Sequence, residues 1–302
     1  MLDYRHQTFL EVYRLGSYTR AAEALNLTQP AVSQHIRALE KHYGCRLFVY
    51  ANRALTPTEQ GRLLYQFASR IAADSDLLTA RLRHKQRSQV RLRFGATLTI
   101  GQYILPVILQ GILRENPGAA VSMLVENTQH LLTRLERGDI QFALIEGLFD
   151  KTAYHWELLA REPFIGVCAP GSIWAEREAS LEELLGERLI VREKGSGTRE
   201  ILEHLLHEHS LSIASFAQVT EIGSMEAIKQ LVQAGLGITF VYQAAVRKEL
   251  AAGDLRPLAL AGWETRRELN FVFLKHSQHA QDYLHWFQIF QEGYRQAFPG
   301  TC

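Results

Sequence analysis

Two stretches of the sequence hold side chains suited to binding a small anion. GATLTIG (residues 95–101) follows an apolar run and offers threonine hydroxyls beside a predicted helix start. REKGSGTRE (residues 192–200) follows the apolar LIV and opens another predicted helix. Ligands of α/β sheets bind at the carboxyl ends of strands, and exposed amides at a helix N-terminus bind anions. The residues predicted to line this anion site are Thr97, Leu98, Thr99, Ile100, Glu146, Gly195, Ser196, Gly197, Thr198, Arg199 and Ser224.

Individual roles follow from the residue types. Gly195 and Gly197 allow close approach to the backbone, and Arg199 offers a fixed cation. Glu146 ends the apolar ALIE and is expected to face the same cleft, where it orients donors or pairs with Arg199. Ser224 is expected to cap a further helix. The spacing and the lysine differ from those of a Walker loop, and the alternative is a plain strand-to-helix turn.

The sequence contains no constellation typical of an enzyme. A G-x-S-x-G elbow, an H-E-x-x-H pair and a dinucleotide fingerprint followed by an acidic residue are all absent. HLLHEH (residues 204–209) fits one ordinary helix face better than a metal site. The cysteines, Cys45, Cys168 and Cys302, are too widely spaced for a disulfide framework or a zinc motif. Cys168 is expected to be a small buried hydrophobe, with a redox thiol as the alternative. We therefore predict no enzyme, no cofactor and no metal.

The N-terminal helix pattern breaks at Pro30. RAAEALNLTQPAVSQHIRALE (residues 20–40) reads as one helical run, but a proline inside a helix costs about 3 kcal/mol. The conflict disappears if one helix, capped by Thr19, ends near residues 26–27. Thr28 then caps a new helix that has Pro30 in its first turn. Two short helices joined by a tight turn form a helix-turn-helix.

The second of these helices has the side chains of a DNA-reading helix. Its predicted buried stripe is Val32, Ile36 and Leu39, and its open side carries Ser33, Gln34, Arg37 and Lys41. Glutamine contacts adenine bidentately, arginine contacts guanine, and serine contacts bases or phosphate. Residues 46–49 and 54–56 read as the two strands of a wing around Asn52 and Arg53. The predicted DNA-binding residues are Thr28, Gln29, Pro30, Ser33, Gln34, Arg37 and Arg53; the alternative is an ordinary helical bundle with a solvated face.

A long helix follows the wing. Thr56-Pro57-Thr58-Glu59 reads as a capping box with proline at the first helical position. The helix is expected to run to about residue 87, roughly 45 Å at 1.5 Å per residue. An apolar stripe along it predicts dimerisation through Leu64, Phe67, Ile71 and Leu78. The alternative is that the helix packs along its own second domain.

Charge is divided unevenly along the 302 residues. Residues 1–88 carry 13 Lys and Arg against 7 Asp and Glu, a net charge of +6, whereas the rest carries −5. A basic N-terminal part on a mildly acidic body predicts a polyanion partner for the first part only. The longest apolar stretch, ILPVILQGIL (residues 104–113), is too short to span a bilayer. We expect a cytoplasmic protein with no membrane partner.

From residue 88 onward, strands alternate with helices. Apolar runs near residues 90–94, 121–125 and 142–145 are separated by helical patterns, and similar units recur to the C-terminus. This alternation predicts mostly parallel sheets covered by helices.

RAAEALNLTQPAVSQHIRALE, followed by LF and LTPTEQG, closely resembles the DNA-binding domain of LysR-type transcriptional regulators from residue 4 to about 62. One departure is Tyr50, where the family commonly has an arginine, so a usual phosphate contact is missing or replaced. The resemblance is weaker in the effector domain but reaches the C-terminus. GSGTR resembles the branch that includes regulators of sulfur assimilation and carbon fixation, which favours an anionic effector.

The resemblance implies an α+β multidomain protein. Residues 1–57 form a winged helix-turn-helix, residues 58–88 a linker helix, and residues 89–302 a two-lobed α/β effector domain similar to periplasmic binding proteins. Lobe I covers about 89–163 and 268–302, and lobe II about 164–267, with crossings near Pro163 and Arg267.

The expected function is a homo-oligomeric transcriptional regulator whose partners are promoter DNA, a small anionic effector and RNA polymerase. The rival hypotheses are a small-molecule carrier whose N-terminal module only oligomerises, and a cleft enzyme. The basic N-terminal part argues against the carrier, and the missing catalytic residues argue against the enzyme.

Overall fold

The computed structural model describes residues 3–51, 54–83, 91–263, 265–275 and 277–298. The described residues form two compact units, one from residues 3–83 together with Thr133–Ile140 and one from the remainder, and each has its own hydrophobic core. No helix within the described ranges is long and apolar enough to cross a membrane.

The N-terminal unit combines helices with one antiparallel ribbon. Its elements are α1 (Tyr4–Leu15), α2 (Tyr18–Leu25), α3 (Gln29–Tyr43), β1 (Phe48–Ala51), β2 (Ala54–Pro57) and α4 (Glu59–Arg83). The core joins all the helices and includes Phe9, Val12, Ala22, Val32, Ile36, Leu39, Leu47 and Tyr65. The predicted winged helix-turn-helix followed by a long helix is therefore confirmed.

The break at Pro30 lies where the sequence predicts it. Helix α2 ends with Asn26 in the left-handed conformation. Thr28 has an extended backbone, and its side chain accepts a hydrogen bond from the Ala31 amide at 3.4 Å. Pro30 is the second residue of α3, where its missing amide hydrogen leaves no helical bond unmade.

Two predicted helix caps are wrong by two residues. Ser17, not Thr19, caps α2, because Gly16 ends α1 in the left-handed conformation and the extended residue after it is already the N-cap. Thr58, not Thr56, accepts from the Gly61 amide at 3.0 Å. Residues 56–57 are paired within β2, so α4 can begin only after the strand ends.

The C-terminal unit alternates strands and helices. In order these are β3 (Arg91–Ala96), α5 (Leu105–Glu115), β4 (Ala120–Val125), α6 (Thr128–Glu136), β5 (Ala143–Glu146), β6 (Tyr154–Cys168), β7 (Arg188–Val191), α7 (Gly197–Glu208), β8 (Gln218–Glu221), α8 (Met225–Gln233), β9 (Thr239–Tyr242), α9 (Gln243–Ala252), β10 (Arg256–Pro257), β11 (Arg266–Leu274) and α10 (Ala280–Ala297). A π-helical turn, Ile100–Ile104, leads into α5.

The sheets are mixed, whereas the sequence predicts mostly parallel pairing. Strand β3 is parallel to β4 and β5, and β7 is parallel to β8. Strand β6 is antiparallel to β9, β10 and β11, and β11 is also antiparallel to β5. Strand direction in these pairs depends on where the chain returns, which hydrophobic patterning does not encode.

Strand β6 belongs to two groups of strands. Its residues 154–163 pair with β11, and Phe164–Val167 pair with β9. Arg266 lies opposite Pro163 at the point of change. This switch of partners builds the two lobes. The boundaries predicted at residues 163/164 and 267/268 stay a proposal, which the switch supports.

Helix α10 is the largest element that the sequence analysis did not identify. Its buried residues are Tyr283, Phe290 and Tyr294. Phe290 packs against Phe94 and Phe142 with ring centroids 5.4 and 5.8 Å apart. The helix therefore covers the sheet that carries β3 and β5.

Candidate functional site

The carboxyl ends of β3 and β5 meet the first turn of α7 at Glu146. The Glu146 amide donates to the Thr97 hydroxyl at 3.2 Å, and the Thr198 hydroxyl donates to Glu146 Oε1 at 3.4 Å. The Thr99 hydroxyl lies 3.5 Å from that of Thr198. The Thr128 hydroxyl, which the sequence analysis did not single out, donates to the Glu146 carbonyl at 3.1 Å. The structure thus brings Thr97, Thr99, Thr198 and Glu146 together.

Glu146 is a buried carboxyl group. Its exposed fraction is 2%, and its Oε2 has no hydrogen-bond partner in the part of the chain that the structure describes. Burial raises the pKa of Glu146 to about 7, because the charged form loses its hydration; hydrogen bonding to Thr99 and Thr198 and the nearby Arg192 charge partly oppose this rise. The carboxyl therefore changes its charge near neutral pH.

Glycines allow the strand end and the helix start to touch. A Cβ atom on Gly197 would lie 3.1 Å from the Glu146 carbonyl oxygen, and one on Gly147 would lie 3.3 Å from the Gly197 Cα. Gly147 and Gly195 also have left-handed φ values of +94° and +87°. The sequence analysis predicts that glycines here let a ligand approach the backbone. The structure shows that Gly197 is needed for the contact between the end of β5 and the start of α7.

Arg199 does not pair with Glu146, so that predicted pairing is wrong. Its Nε donates to Glu203 at 2.8 Å, and its Nη1 donates to the Arg192 carbonyl at 3.0 Å and also bonds Glu221. These bonds hold the guanidinium against α7 and β8. Its predicted role as the cation of the site has no support from these contacts.

Arg192 is a buried cation that the sequence analysis did not single out. Its exposed fraction is 5%, and its Nε and Nη2 donate to the Glu193 carboxylate at 2.7 and 2.8 Å. Its Nη1 has no hydrogen-bond partner among the residues described. The residue follows β7 directly, and that position at the carboxyl end of a strand was the available signal.

The other predicted effector residues have less direct contacts. Leu98 is half-buried and packs against a cluster built from β6, β7, β9 and α8, while Ile100 is fully buried in the main core. Ser196 is buried at the N-cap position of α7. Ser224 caps α8 and accepts from the Ala227 amide at 3.3 Å. Contact of these residues with an effector stays a prediction.

The DNA-reading face predicted for α3 is open to solvent. Thr28, Gln29 and Pro30 are exposed at its start, and Gln34 and Arg37 are exposed further along, with Ser33 half-buried beside them. Val32, Ile36 and Leu39 are buried on the opposite side, as predicted. Arg53 lies outside the described residues.

Glu40 joins α3 to the wing. Its Oε1 accepts from the Leu47 amide at 2.9 Å, and its Oε2 pairs with Arg46 at 3.0 Å. These bonds fix the chain as it enters β1. On that strand Tyr50 is exposed, so its side chain is available to solvent.

Helix α4 presents an exposed apolar row. Leu63, Phe67 and Ile71 are 56%, 57% and 45% exposed and follow one another at intervals of four residues. Leu64, predicted to belong to this row, instead packs against the core of its own unit, so the exposed residue is its neighbour. The backbone of residue 78 is helical, and its side chain lies outside the described part of the chain.

Two further side-chain predictions concern cysteine and metal. Cys168 is 1% exposed within the main core, and burial raises the pKa of its thiol, so the reactive thiolate is disfavoured. Within the residues described, His, Cys, Asp and Glu form no group of three or more that could hold a metal ion.

A winged helix-turn-helix together with a two-lobed unit whose strand ends form a polar site is the architecture of a DNA-binding regulator controlled by a small molecule. Residues 5–62 match the bacterial regulatory helix-turn-helix proteins of the LysR family, and residues 85–295 match the LysR substrate binding domain. The chain belongs to the LysR family of transcriptional regulators.

Relatives of this chain include regulators of the predicted branch. It is 32% identical to the transcriptional activator CmpR of Synechocystis over 282 residues, which are 91% of this chain and 90% of CmpR. It is 30% identical to the transcriptional regulator CysL of Bacillus subtilis over 273 residues, 88% of this chain and 89% of CysL. The CcmR regulatory domain of Synechocystis, solved in complex with 2-PG, superposes with a TM-score of 0.60 at 25% identity, covering 68% of this chain and 98% of that domain.

Proposed function

We propose that this LysR-type regulator binds promoter DNA through α3 and the wing and responds to a small anionic effector bound between its lobes. The observation that carries the effector part is the convergence of the Thr97, Thr99 and Thr198 hydroxyls with buried Glu146 at the first turn of α7. In this proposal the hydroxyls, the first-turn amides and a buried guanidinium line a donor-rich pocket. Such a pocket suits a compact oxyanion or a short carboxylate better than an aromatic ligand.

Two further facts support an anion. Arg192, whose charge acts on Glu146, has a buried guanidinium nitrogen, Nη1, with no hydrogen-bond partner among the described residues. The CcmR domain, a structural relative, was solved with 2-PG bound. We therefore place Arg192, rather than Arg199, as the cation of the effector site.

The regulator acts as a homo-oligomer that contacts RNA polymerase at its promoters. The exposed row Leu63, Phe67 and Ile71 supports self-association through α4, because an apolar row at intervals of four residues fits a helical seam. Open polar and cationic side chains on α3 support base readout. With no catalytic constellation in its sequence, the protein acts by binding alone, without chemistry of its own.

A thermal-shift screen of small oxyanions, with 2-PG included, tests the effector proposal. A ligand that binds only the folded state raises the melting temperature as its concentration exceeds its Kd. Thr99→Ala and Thr198→Val each remove one hydroxyl and should reduce the shift. Thr220→Val is the matched control. The Thr220 hydroxyl on β8 accepts a hydrogen bond from Arg188 on β7 and, among the described residues, makes no hydrogen bond to Glu146, so its loss should leave the thermal shift unchanged.

The screen is paired with a gel shift on promoter DNA in graded salt. A regulator binds that DNA with an affinity that falls steeply as salt rises, whereas a carrier does not bind it. Wild-type ligand affinity in both Thr99→Ala and Thr198→Val, measured by calorimetry, would show that the site is misplaced. A bulky apolar ligand as the only hit would contradict the anion proposal.

A further inference from the structure

Two buried side chains, Glu146 at the end of β5 and Arg192 directly after β7, each leave one polar atom without a partner in the described chain. Glu146 Oε1 accepts from the Thr198 hydroxyl, whereas its Oε2 accepts from no described donor. Arg192 uses two nitrogens on Glu193, whereas its Nη1 donates to no described acceptor. Buried polar groups are nearly always hydrogen-bonded, and the charge of Arg192 acts on Glu146, so this acceptor and this donor point to a ligand that satisfies both.

We propose that Glu146 makes this pocket selective for anions that carry a proton. Resting on the function proposed above, the inference is that Arg192 Nη1 donates to an anionic oxygen of the effector while Glu146 Oε2 accepts a hydrogen bond from the effector's own hydroxyl. The class of ligand is a monoprotonated oxyanion or a hydroxylated acid, such as hydrogenphosphate. A fully ionised anion of the same size, such as sulfate, has no hydroxyl to donate to Glu146 Oε2 and is repelled by the ionised carboxylate.

Burial is what makes this selection strong. Where water is excluded, an ionised carboxylate and a bound anion repel each other with little screening. The carboxylate oxygen that receives no hydrogen bond adds a desolvation cost. A proton shared between the two oxygens removes both costs. Either partner can supply it, so sulfate binds only when Glu146 is itself protonated.

The charged groups around Glu146 set the pH at which it gains or loses its proton. Arg192 from the β7–α7 connection lowers the pKa of Glu146, and burial, the larger effect, raises it to about 7. Tyr242 at the end of β9 also faces Glu146, and burial raises its pKa well above 10, so it stays neutral. The charges of Arg267 and Glu162 act on Tyr242 from the crossing strands. Thr99 and Thr198 carry no charge, so Glu146 is the group of this cluster that titrates between pH 6 and 8.

Calorimetry of the full chain with sulfate and with inorganic phosphate, at pH 6 and pH 8, tests the proposal. Sulfate affinity should fall about tenfold between pH 6 and pH 8, because the protonated fraction of a carboxyl with a pKa near 7 falls by that factor. Phosphate still carries a proton at pH 8 and should keep most of its affinity. Titrations in buffers of different ionisation enthalpy should show proton uptake with sulfate at pH 8 and little with phosphate.

Three variants separate the contributions. Glu146→Gln should bind sulfate equally at pH 6 and pH 8 and lose the preference for phosphate, because the amide supplies a donor at every pH. Arg192→Gln should weaken both anions by a similar factor and keep the pH dependence of sulfate binding. Glu226→Gln is the control for net charge, because Glu226 is exposed on α8 and pairs with Lys229.

The possible outcomes are distinct. If wild type binds sulfate equally at both pH values and Thr198→Val abolishes that binding, the anion site stands and the proton selection is overturned. If Glu146→Gln keeps the wild-type pH dependence, another group titrates and the assignment to Glu146 is overturned. If neither anion binds wild type or Glu146→Gln at either pH, the site does not take compact oxyanions, and the proposed effector class falls together with this inference.

Discussion

At the scale of the residue, Glu146 places an ionisable group where water is excluded, and stability then depends on pH. Its pKa is raised from 4.5 to about 7, so the folded state keeps a proton that the unfolded chain loses. The protonated carboxyl tolerates burial, so the free energy of unfolding is highest below about pH 4.5. It falls as pH rises from there through about 7, because the folded state then has to hold a proton that the unfolded chain has released or bury the charged form. At 1.36 kcal/mol per pKa unit, the loss amounts to about 3 kcal/mol.

Glu146→Gln should therefore be more stable than wild type by up to about 3 kcal/mol at pH 8, and the difference should vanish near pH 4.5. The neutral amide keeps the size of the side chain without the cost of a buried charge. Urea unfolding of both proteins across this range measures the difference. Parallel stability curves at every pH would show that Glu146 is not a buried titrating group.

Base readout by α3 is also a matter of single residues. Gln34→Ala and Arg37→Ala should each weaken specific operator binding, by about 1–3 kcal/mol per lost bidentate pair. Arg295→Ala and Gln296→Ala are matched controls, because both residues are exposed on α10 of the other unit. Footprints of Gln34→Ala and Arg37→Ala at matched salt that equal wild type would refute the assignment of α3 as the reading helix.

At the scale of the element, helix α4 divides its apolar residues between two tasks. Tyr65, Ala68 and, in part, Leu64 pack against the core of their own unit. Phe67 and Ile71 remain exposed on the other side. Because one apolar side of the helix is covered and a second is exposed, the exposed side can pack against a helix of a second copy of the chain.

Residues 1–88 should form a dimer, and replacement of Phe67 and Ile71 by Asp should give monomers, because each change buries a carboxylate in the seam. This fragment carries its own hydrophobic core, so it can be measured alone. Gln66→Asp is the control, since Gln66 is an exposed polar neighbour and the change adds the same kind of charge. Sedimentation that shows an unchanged dimer in the double variant would remove α4 as the interface.

At the scale of the whole molecule, effector and DNA binding are two functions in one chain. The N-terminal residues 1–88 carry a net charge of +6 and the rest −5, so the electrostatic attraction to DNA belongs to the first part. Control of one site by the other is then a coupling free energy, and coupling acts equally in both directions.

The oxyanion identified by the screen should change operator affinity by some factor, and operator DNA should change the anion's Kd by the same factor, commonly roughly 5- to 150-fold. Calorimetry of the anion with and without operator DNA, beside DNA titrations with and without the anion, gives both factors. Thr198→Val should weaken anion binding both with and without operator DNA, while leaving the DNA affinity of the ligand-free protein unchanged. Operator affinity that does not respond to the bound anion would contradict effector control.

Short-range signals made much of the molecule readable from the sequence. The start of α3, its cap at Thr28 and its buried stripe depend on residues within two turns of one another, and all three are confirmed. The caps at Ser17 and Thr58 were missed because Thr19 and Thr56 offer the same hydroxyl chemistry. Only the ends of the preceding helix and strand decide between them.

The sequence by itself determined a winged helix-turn-helix followed by alternating strands and helices, because those features rest on local spacing and periodicity, and its resemblance to LysR-type regulators implied the two-lobed effector unit. Only the tertiary structure decided which arginine keeps a buried nitrogen without a partner among the described residues. Arg192 and Arg199 are seven residues apart in the same strand-to-helix connection. Arg199 meets Glu221, a residue of a neighbouring strand, whereas Arg192 Nη1 meets no described acceptor. Long-range packing selects ion-pair partners in this way, and residue type and spacing do not record that choice.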